Sequence, residues 1–452
     1  MFARIFKAFC FIGMIIPNYA SADTSTLHAS LQHALNHSEA ILAEIENIKS
    51  AKEESIIAGS SMDLSASLSS YVNRGERSID GGDNFDTENE NITLTITKPL
   101  YDGGEAKADG IIARLTLENA IYSYRSAEHQ LLMDALTAHI NLVTARQRLQ
   151  VEASNVDRLK QQLAASELRV QLGDSTPTQL ALTQSRLARA EAAFISAETQ
   201  LNTASAIYMR YFGELPDQLT LPEVISPIPA SAGLAGDMAL DAQPGHQQVK
   251  INERLTRFGL NALISQIRPQ IDFNITGSTT SSNVTTSNID SVAASITLTA
   301  PLYPTNATRA KSRALVADHK YMVLTLADSE QITRLNAENT YRQFIATSSL
   351  ITANQSERDA AILFRDGVKK EVEFGLKTLL DLLDAEQDVV NAELSLISTR
   401  GDYVLSGYAL LASMGQLNAE TFGLMPVFVS VDDLPAHDAP FSGIPPKIIY
   451  QD

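Results

Sequence analysis

Ile92-Thr93-Leu94-Thr95-Ile96-Thr97-Lys98-Pro99-Leu100-Tyr101-Asp102-Gly103-Gly104 decides the fold of this chain, because two periodicities meet in it. Up to Thr97, apolar and hydroxyl side chains alternate, which is the period of a strand with one apolar face. Beyond Gly110 the pattern changes: Ile111 to Leu172 holds 62 residues without glycine or proline. A continuous helix of that length reaches about 93 Å at about 1.5 Å per residue. No single globular core buries such a helix, so it must join a coiled coil or a large helical barrel.

The passage is written twice. Pro99-Leu100-Tyr101 returns as Pro301-Leu302-Tyr303, Gly173 as Gly375 and Gly213 as Gly415, each 202 residues later, and Thr305 to Asp366 is a second stretch of 62 residues free of glycine and proline. Equal lengths in a shared register predict two long segments lying side by side, as one element of a symmetric object. Leu142, Leu149, Val156, Leu163 and Val170 are spaced by sevens, as are Leu180, Leu187, Phe194, Leu201 and Tyr208, and Leu382, Val389, Leu396, Tyr403 and Leu410. That spacing implies left-handed supercoiling, and Ala190, Ala193, Ala197 and Ala204 permit close approach.

Three more segments alternate like the first: Met62 to Val72, Ile271 to Thr276 and Val292 to Thr299. Polar runs from Asn73 to Asn91 and from Gly277 to Asp290 read as the loops of two hairpins. Strands of about ten residues with one apolar and one hydroxyl face match an outer-membrane barrel; a soluble β-sandwich is the alternative for these strands. Four strands cannot close a barrel, and lipid forbids open edges, so several copies must share one. Two copies would supply eight strands, three twelve and four sixteen.

Residues 1–22 read as a signal peptide, with Arg4 and Lys7, an apolar stretch from Ala8 to Ile16, and Ala20-Ser21-Ala22 at the cleavage site. Cys10, the only cysteine, lies inside it, so the exported protein is expected to carry no disulfide and no lipid anchor. No later run of 18 apolar residues predicts a membrane helix. The chain has 35 basic and 53 acidic side chains, and losing Arg4 and Lys7 leaves 33 against 53, a balance that disfavours nucleic acid as a partner. The expected organisation is a first repeat at 23–212 with its β-hairpin at about 61–100, a Pro/Gly-rich irregular linker at 213–245, a second repeat at 246–415 with its hairpin at about 270–302, and a tail at 416–452.

On these motifs the chain resembles the TolC family of outer-membrane efflux and secretion channels, from about Leu27 to Leu417. Pro99-Leu100-Tyr101-Asp102-Gly103-Gly104 is similar to the family's strand-to-helix signature, and Gly375 to Ala385 to its second helix-hairpin tip. The resemblance implies a homotrimer with a twelve-stranded barrel in outer-membrane lipid and a twelve-helix periplasmic tunnel. It also implies a periplasmic adaptor of the membrane-fusion type and an inner-membrane transporter, either ABC or proton-driven. A soluble periplasmic coiled-coil adaptor or structural protein is the alternative function. The second repeat departs from the signature, since Pro304-Thr305-Asn306 replaces Asp-Gly-Gly.

Asp381 and Asp384 stand three residues apart on one helical face, and by spacing alone they read as an acidic helix start. The resemblance implies instead that they form the constriction of a periplasmic gate, where crowded carboxylates would favour cations. It implies that Lys377 and Gln179 belong to the links holding that gate closed, although Gln179 replaces an aspartate of the best-known members and Val372 a tyrosine. Leu172, Gly173, Phe374, Gly375 and Leu376 are the implied adaptor contacts.

No cofactor or metal site is expected. His33 and His37 have ligand spacing but no third ligand. The acidic run Asp80, Asp83, Asp86, Glu88 and Glu90 lacks the order of a calcium loop and reads as a solvated loop. Gly103-Gly104-Glu105-Ala106-Lys107 lacks the spacing of a phosphate loop, and neither a nucleophile elbow nor a His-Glu-x-x-His site occurs. The chain is not expected to be an enzyme.

Overall fold

Backbone pairing and helical periodicity divide the molecule into a sheet and a set of long helices. The computed structural model describes residues 22–77, 85–173, 175–216, 219–224, 228–283, 288–303, 305–428 and 430–431. Most of the signal-peptide reading, Asp80 and Asp83 of the acidic run, Pro304, and the tail beyond residue 431 lie outside the described residues. Two helices, α1 (Ala22–His37) and α2 (Glu39–Gly59), precede the hairpin β1 (Ser65–Arg77) and β2 (Phe85–Tyr101). The helical hairpin α3 (Glu105–Gln171) and α4 (Pro177–Phe212) follows, then α5 (Ala232–Ala242) and α6 (Pro244–Ser265). The second repeat supplies β3 (Gln270–Ser282), β4 (Ile289–Thr299), α7 (Asn306–Glu373) and α8 (Leu379–Ser413).

The four strands form one antiparallel sheet in the order β1-β2-β3-β4, so the two hairpins join through β2 and β3. The register lines up whole rows. Leu68, Leu94, Gly277 and Val292 share a row, as do Ala66, Ile96, Ile275 and Ala294. The intervening rows are hydroxyl and amide: Ser65, Thr97, Asn274 and Ser295, then Ser69, Thr93, Ser278 and Ser291. Thr97 Oγ1 donates to Asn274 Oδ1 at 2.9 Å, and the Ser278 and Ser291 hydroxyls bond at 2.9 Å, so the polar face satisfies its own groups across strands. The apolar face is bare: Leu68 is 72% exposed and Val292 85%.

The strands run further than alternation predicts. β1 continues to Arg77 and β2 starts at Phe85, so much of the run read as a loop, including Asp86, Glu88 and Glu90, is strand. β3 likewise extends to Ser282 and β4 begins at Ile289. Backbone pairing persists there on polar cross-strand contacts: Arg74 Nε donates to Glu88 Oε1 at 2.7 Å and Asn91 Nδ2 to Thr280 Oγ1 at 2.8 Å. Alternation ends where both faces are polar, while the hydrogen-bond ladder continues.

The quoted segment turns from strand to helix through a β-bulge between Pro99 and Tyr101 and two left-handed glycines, Gly103 (φ 72°) and Gly104 (φ 94°). The Asp102 carboxylate accepts the N–H groups of Gly104 at 2.9 Å and Ala106 at 2.5 Å, capping α3. In the second repeat Thr305 does the same work for α7, accepting the N–H of Thr308 at 3.2 Å. The departure from Asp-Gly-Gly therefore exchanges one cap for another.

α3 has 67 residues and α7 has 68, about 100 Å each at about 1.5 Å per residue. The helical hairpins turn at Gly173 (φ 79°) and Gly375 (φ 74°), one repeat apart. Thr183, Ala190, Ala197 and Ala204 form a buried stripe of sevens on α4, and Leu382, Val389, Leu396 and Leu410 on α8. The main core lies about midway along the helices, where Leu35, Leu136, Tyr208, Ala239, Phe344, Tyr408 and Met414 meet. Contrary to the irregular linker expected at 213–245, an eleven-residue helix, α5, stands there against α7. Its N-cap Ser231 accepts from Leu234 N at 3.3 Å, and Ala235 and Ala239 are fully buried. The segment after α8 packs into this region as well, burying Leu417, Ala419 and Leu424.

Gly415 (φ 73°) ends α8 where a side-chain methyl would overlap the Ala242 carbonyl. Gly415→Ala should therefore lower stability by about 1–3 kcal/mol in a thermal melt followed by helical circular dichroism. His129 beside this turn is pushed down to about 4 by burial, against the raising effect of its hydrogen bond to the Gly415 backbone. The unfolded chain takes up that proton near pH 6.5 and the folded one only near pH 4, so stability should fall as pH drops through that window. His129→Gln should flatten the fall between those limits.

Candidate functional site at the helical tip

The far ends of the helices bring together the acidic pair, the two glycine turns and an exposed apolar cap. Both short helices begin alike: Thr176 and Thr378 are the N-caps of α4 and α8, and Gln179 and Asp381 occupy the third helical position after them. In the second repeat the capping box closes. Thr378 Oγ1 accepts from Asp381 N at 3.3 Å, while Asp381 Oδ2 accepts from Thr378 N at 2.8 Å and from Thr378 Oγ1 at 2.7 Å. These bonds from the Thr378 hydroxyl and backbone hold the Asp381 carboxyl below the usual carboxylate range, and Lys377 adds to the effect. In the first repeat the Gln179 amide oxygen accepts from Ser175 Oγ at 2.5 Å instead.

Asp384 is engaged differently. Its Oδ1 accepts from Arg186 Nη2 at 2.5 Å, an ion pair between α8 and α4 in which Arg186 is mostly covered and Asp384 about half exposed. Below it, Leu379 and Leu383 pack on Val156, Leu159 and Ala190, so the start of α8 rests against the first hairpin. The acidic pair thus combines one carboxylate that caps its own helix with one that ties two hairpins together.

Lys377 lies 4.0 Å from Glu371 and 5.7 Å above the Phe364 ring, with its nearest partners in its own hairpin. Gln179 and Lys377 are not brought into contact with each other. Val372 packs into a small apolar cluster with Val368, Leu382 and Ala385. Leu172, Phe374 and Leu376 project at 67%, 79% and 77% exposure around Gly173 and Gly375, neither of which has an atom within 4 Å of an added Cβ. Arg186 was not among the residues that the sequence singles out. Its signal is positional: it flanks Leu187 of the heptad series, the place where charges reach a neighbouring helix.

Among the described residues no cluster of metal-ligating side chains occurs. His33 and His37 stack their rings at 4.0 Å, and His37 Nδ1 bonds the His33 carbonyl at 2.9 Å. No described helix is long and apolar enough to cross a membrane.

Comparison with known proteins finds the family described as "Outer membrane efflux protein" matching residues 30–214 and 237–416. The outer membrane efflux protein BepC of Brucella suis biovar 1 (strain 1330) is 26% identical over 335 residues, covering 74% of each chain. The alkaline protease secretion protein AprF of Pseudomonas aeruginosa is 24% identical over 339 residues, covering 72% of this chain and 69% of that one. Among solved structures, the Campylobacter jejuni CmeC outer membrane channel superposes with a TM-score of 0.76 at 13% identity, over 86% of this chain and 85% of that one.

The capping box at the tip has a direct test. Thr378→Ala should weaken the start of α8 by about 1 kcal/mol, read as faster amide exchange over residues 379–384, with exchange in α4 unchanged.

Proposed function

This chain belongs to the outer membrane efflux protein family, and from that premise we propose that it is a trimeric conduit, gated at the helical tip, for substrates handed over by an adaptor and an inner-membrane transporter. It is a channel protein and not an enzyme, located in the outer membrane and extending into the periplasm. The observation that carries the proposal is the four-stranded sheet whose outer strands β1 and β4 each have one partner in the protomer. Three copies supply twelve strands and close the edges that lipid cannot tolerate, and the bare apolar rows then face acyl chains. The long helices continue the barrel as a tunnel.

Gating belongs to the tip by the same reading. Asp381 and Asp384 line the constriction, and three Arg186–Asp384 pairs latch it shut. Lys377 and Gln179 contribute within their own turns, which leaves the tie between hairpins to Arg186. Leu172, Phe374 and Leu376, with the two glycine turns, form the apolar ring on which an adaptor docks. Cargo class is then set by the transporter: one relative is named for efflux and another for protease secretion.

Outer-membrane fractionation and an SDS-resistant trimer test the assembly, and a monomer in the soluble periplasmic fraction would overturn it. In planar bilayers, Arg186→Ala should raise the open fraction. Half-exposed ion pairs contribute about 0.2–1 kcal/mol each, so loss of three, about 0.6–3 kcal/mol, should shift the gate by about three- to 150-fold. Asp381→Ala combined with Asp384→Ala should relieve block by multivalent cations; persistent block would remove both from the constriction.

A further inference from the structure

The two helical hairpins, alike in length, are joined internally by different chemistry. Between α7 and α8 three polar contacts recur at intervals of seven residues. Thr340 and Ser413 hydroxyls bond at 2.7 Å, Thr347 and Ser406 at 2.8 Å, and Asn354 Nδ2 donates to Thr399 Oγ1 at 2.6 Å. Thr347 is 3% exposed and Ser406 and Thr399 9% each, so these bonds form largely away from water. In each hydroxyl pair one O–H donates across the interface and the other donates back to a carbonyl of its own helix, such as that of Phe344 for Thr347 or Tyr403 for Ser406. Both protons are used, and shearing the helices would strand buried groups.

One repeat earlier the corresponding positions hold Ala138 and Tyr211, Ala145 and Ala204, and Glu152 and Ala197, pairs that cannot make such bonds. Toward the tip the series ends. Its next two layers are Ala361 with Ala392 and Val368 with Ala385, and Gly367, beside Val368, has no atom within 4 Å of an added Cβ. Apolar layers slide without leaving a polar group unpaired, and a glycine inside a helix weakens it locally. At the boundary Gly401 admits α3 closely, since an added Cβ would fall 2.8 Å from the Thr144 methyl.

We infer that the Thr340–Ser413, Thr347–Ser406 and Asn354–Thr399 contacts are a clamp that holds the upper part of α7 and α8 as one body and sets the fulcrum of tip movement at the Asn354–Thr399 layer. The inference rests on the gated-tip reading and specifies where the moving lever begins. The lever is the stretch from residue 355 to the end of α7 at Glu373, about 28 Å long, with the facing part of α8. Opening then displaces Asp384 from Arg186 while the midsection keeps its packing. The clamp residues are positioning residues, far from the constriction itself.

Distances between copies in the full-length channel test this. With Cys10, the only native cysteine, replaced by Ser, spin labels enter selectively at Ser349→Cys, inside the clamped stretch, and at Glu373→Cys, at the tip. Replacing Thr340 and Thr347 with Val and Asn354 with Leu should broaden the distance distribution at residue 349, and Ser406→Ala, a milder change that preserves assembly, should broaden it less. An unchanged distribution at 349 in an assembled clamp variant overturns the clamp. So does broadening at 349 on Arg186→Ala with the clamp intact. If Arg186→Ala leaves the tip label and conductance unmoved, the latch is wrong, and the clamp is still decided at residue 349.

Discussion

Unpaired backbone at the edges of a four-stranded sheet is the constraint on which the molecule depends. In lipid an open N–H or C=O costs several kcal/mol, so β1 and β4 must find strands from other copies before the sheet can enter the bilayer. Assembly is thus a condition of the fold, and it orients everything attached to the sheet. The strand rows place side chains of one character on each face, and the capped turns at Asp102 and Thr305 then send both long helices away from the same sheet. Equal lengths of α3 and α7 bring both hairpin tips to one level, where the carboxylates and their partners meet.

The parts of this design that repeat locally were legible in the sequence. Alternation from Ile92 to Thr97 marks both the strand and its faces, and the 202-residue offset pairs Gly173 with Gly375, the two hairpin turns. The strand ends were not legible, because polar residues such as Arg74 and Glu88 pair across strands without any apolar partner to betray the period. Helix α5 was hidden by the prolines around it; its alanines carry information only once α7 is seen against them.

At the tip, the sequence points to a pair of carboxylates and is nearly silent on what holds them. The capping role of Asp381 follows from a local rule, as Thr378 stands three residues before it. The partner of Asp384 does not, since Arg186 lies 198 residues away and comes near only through packing of Leu379 and Leu383 on the first hairpin. Val372 shows the same limit from the other side: its place in an apolar cluster with Val368, Leu382 and Ala385 follows from the packing of α7 on α8. Contacts between distant segments are set by tertiary geometry, and a single chain of letters records them only faintly.

In the conduit proposed above, with the apolar rows toward lipid, the hydroxyl rows of the sheet carry a consequence for whatever passes along them. Ser65, Thr97, Asn274 and Ser295, and the row of Ser69, Thr93, Ser278 and Ser291, offer donors and acceptors in equal measure and no fixed charge. Along these rows a traveller trades one water-like hydrogen-bond partner for the next, while a fixed charge stands on the same face in the adjoining row, where Asp272 pairs with Pro99 and Thr297. Uncharged rows of this kind discriminate little among travellers, so choice falls to the charged positions and to the ends of the passage.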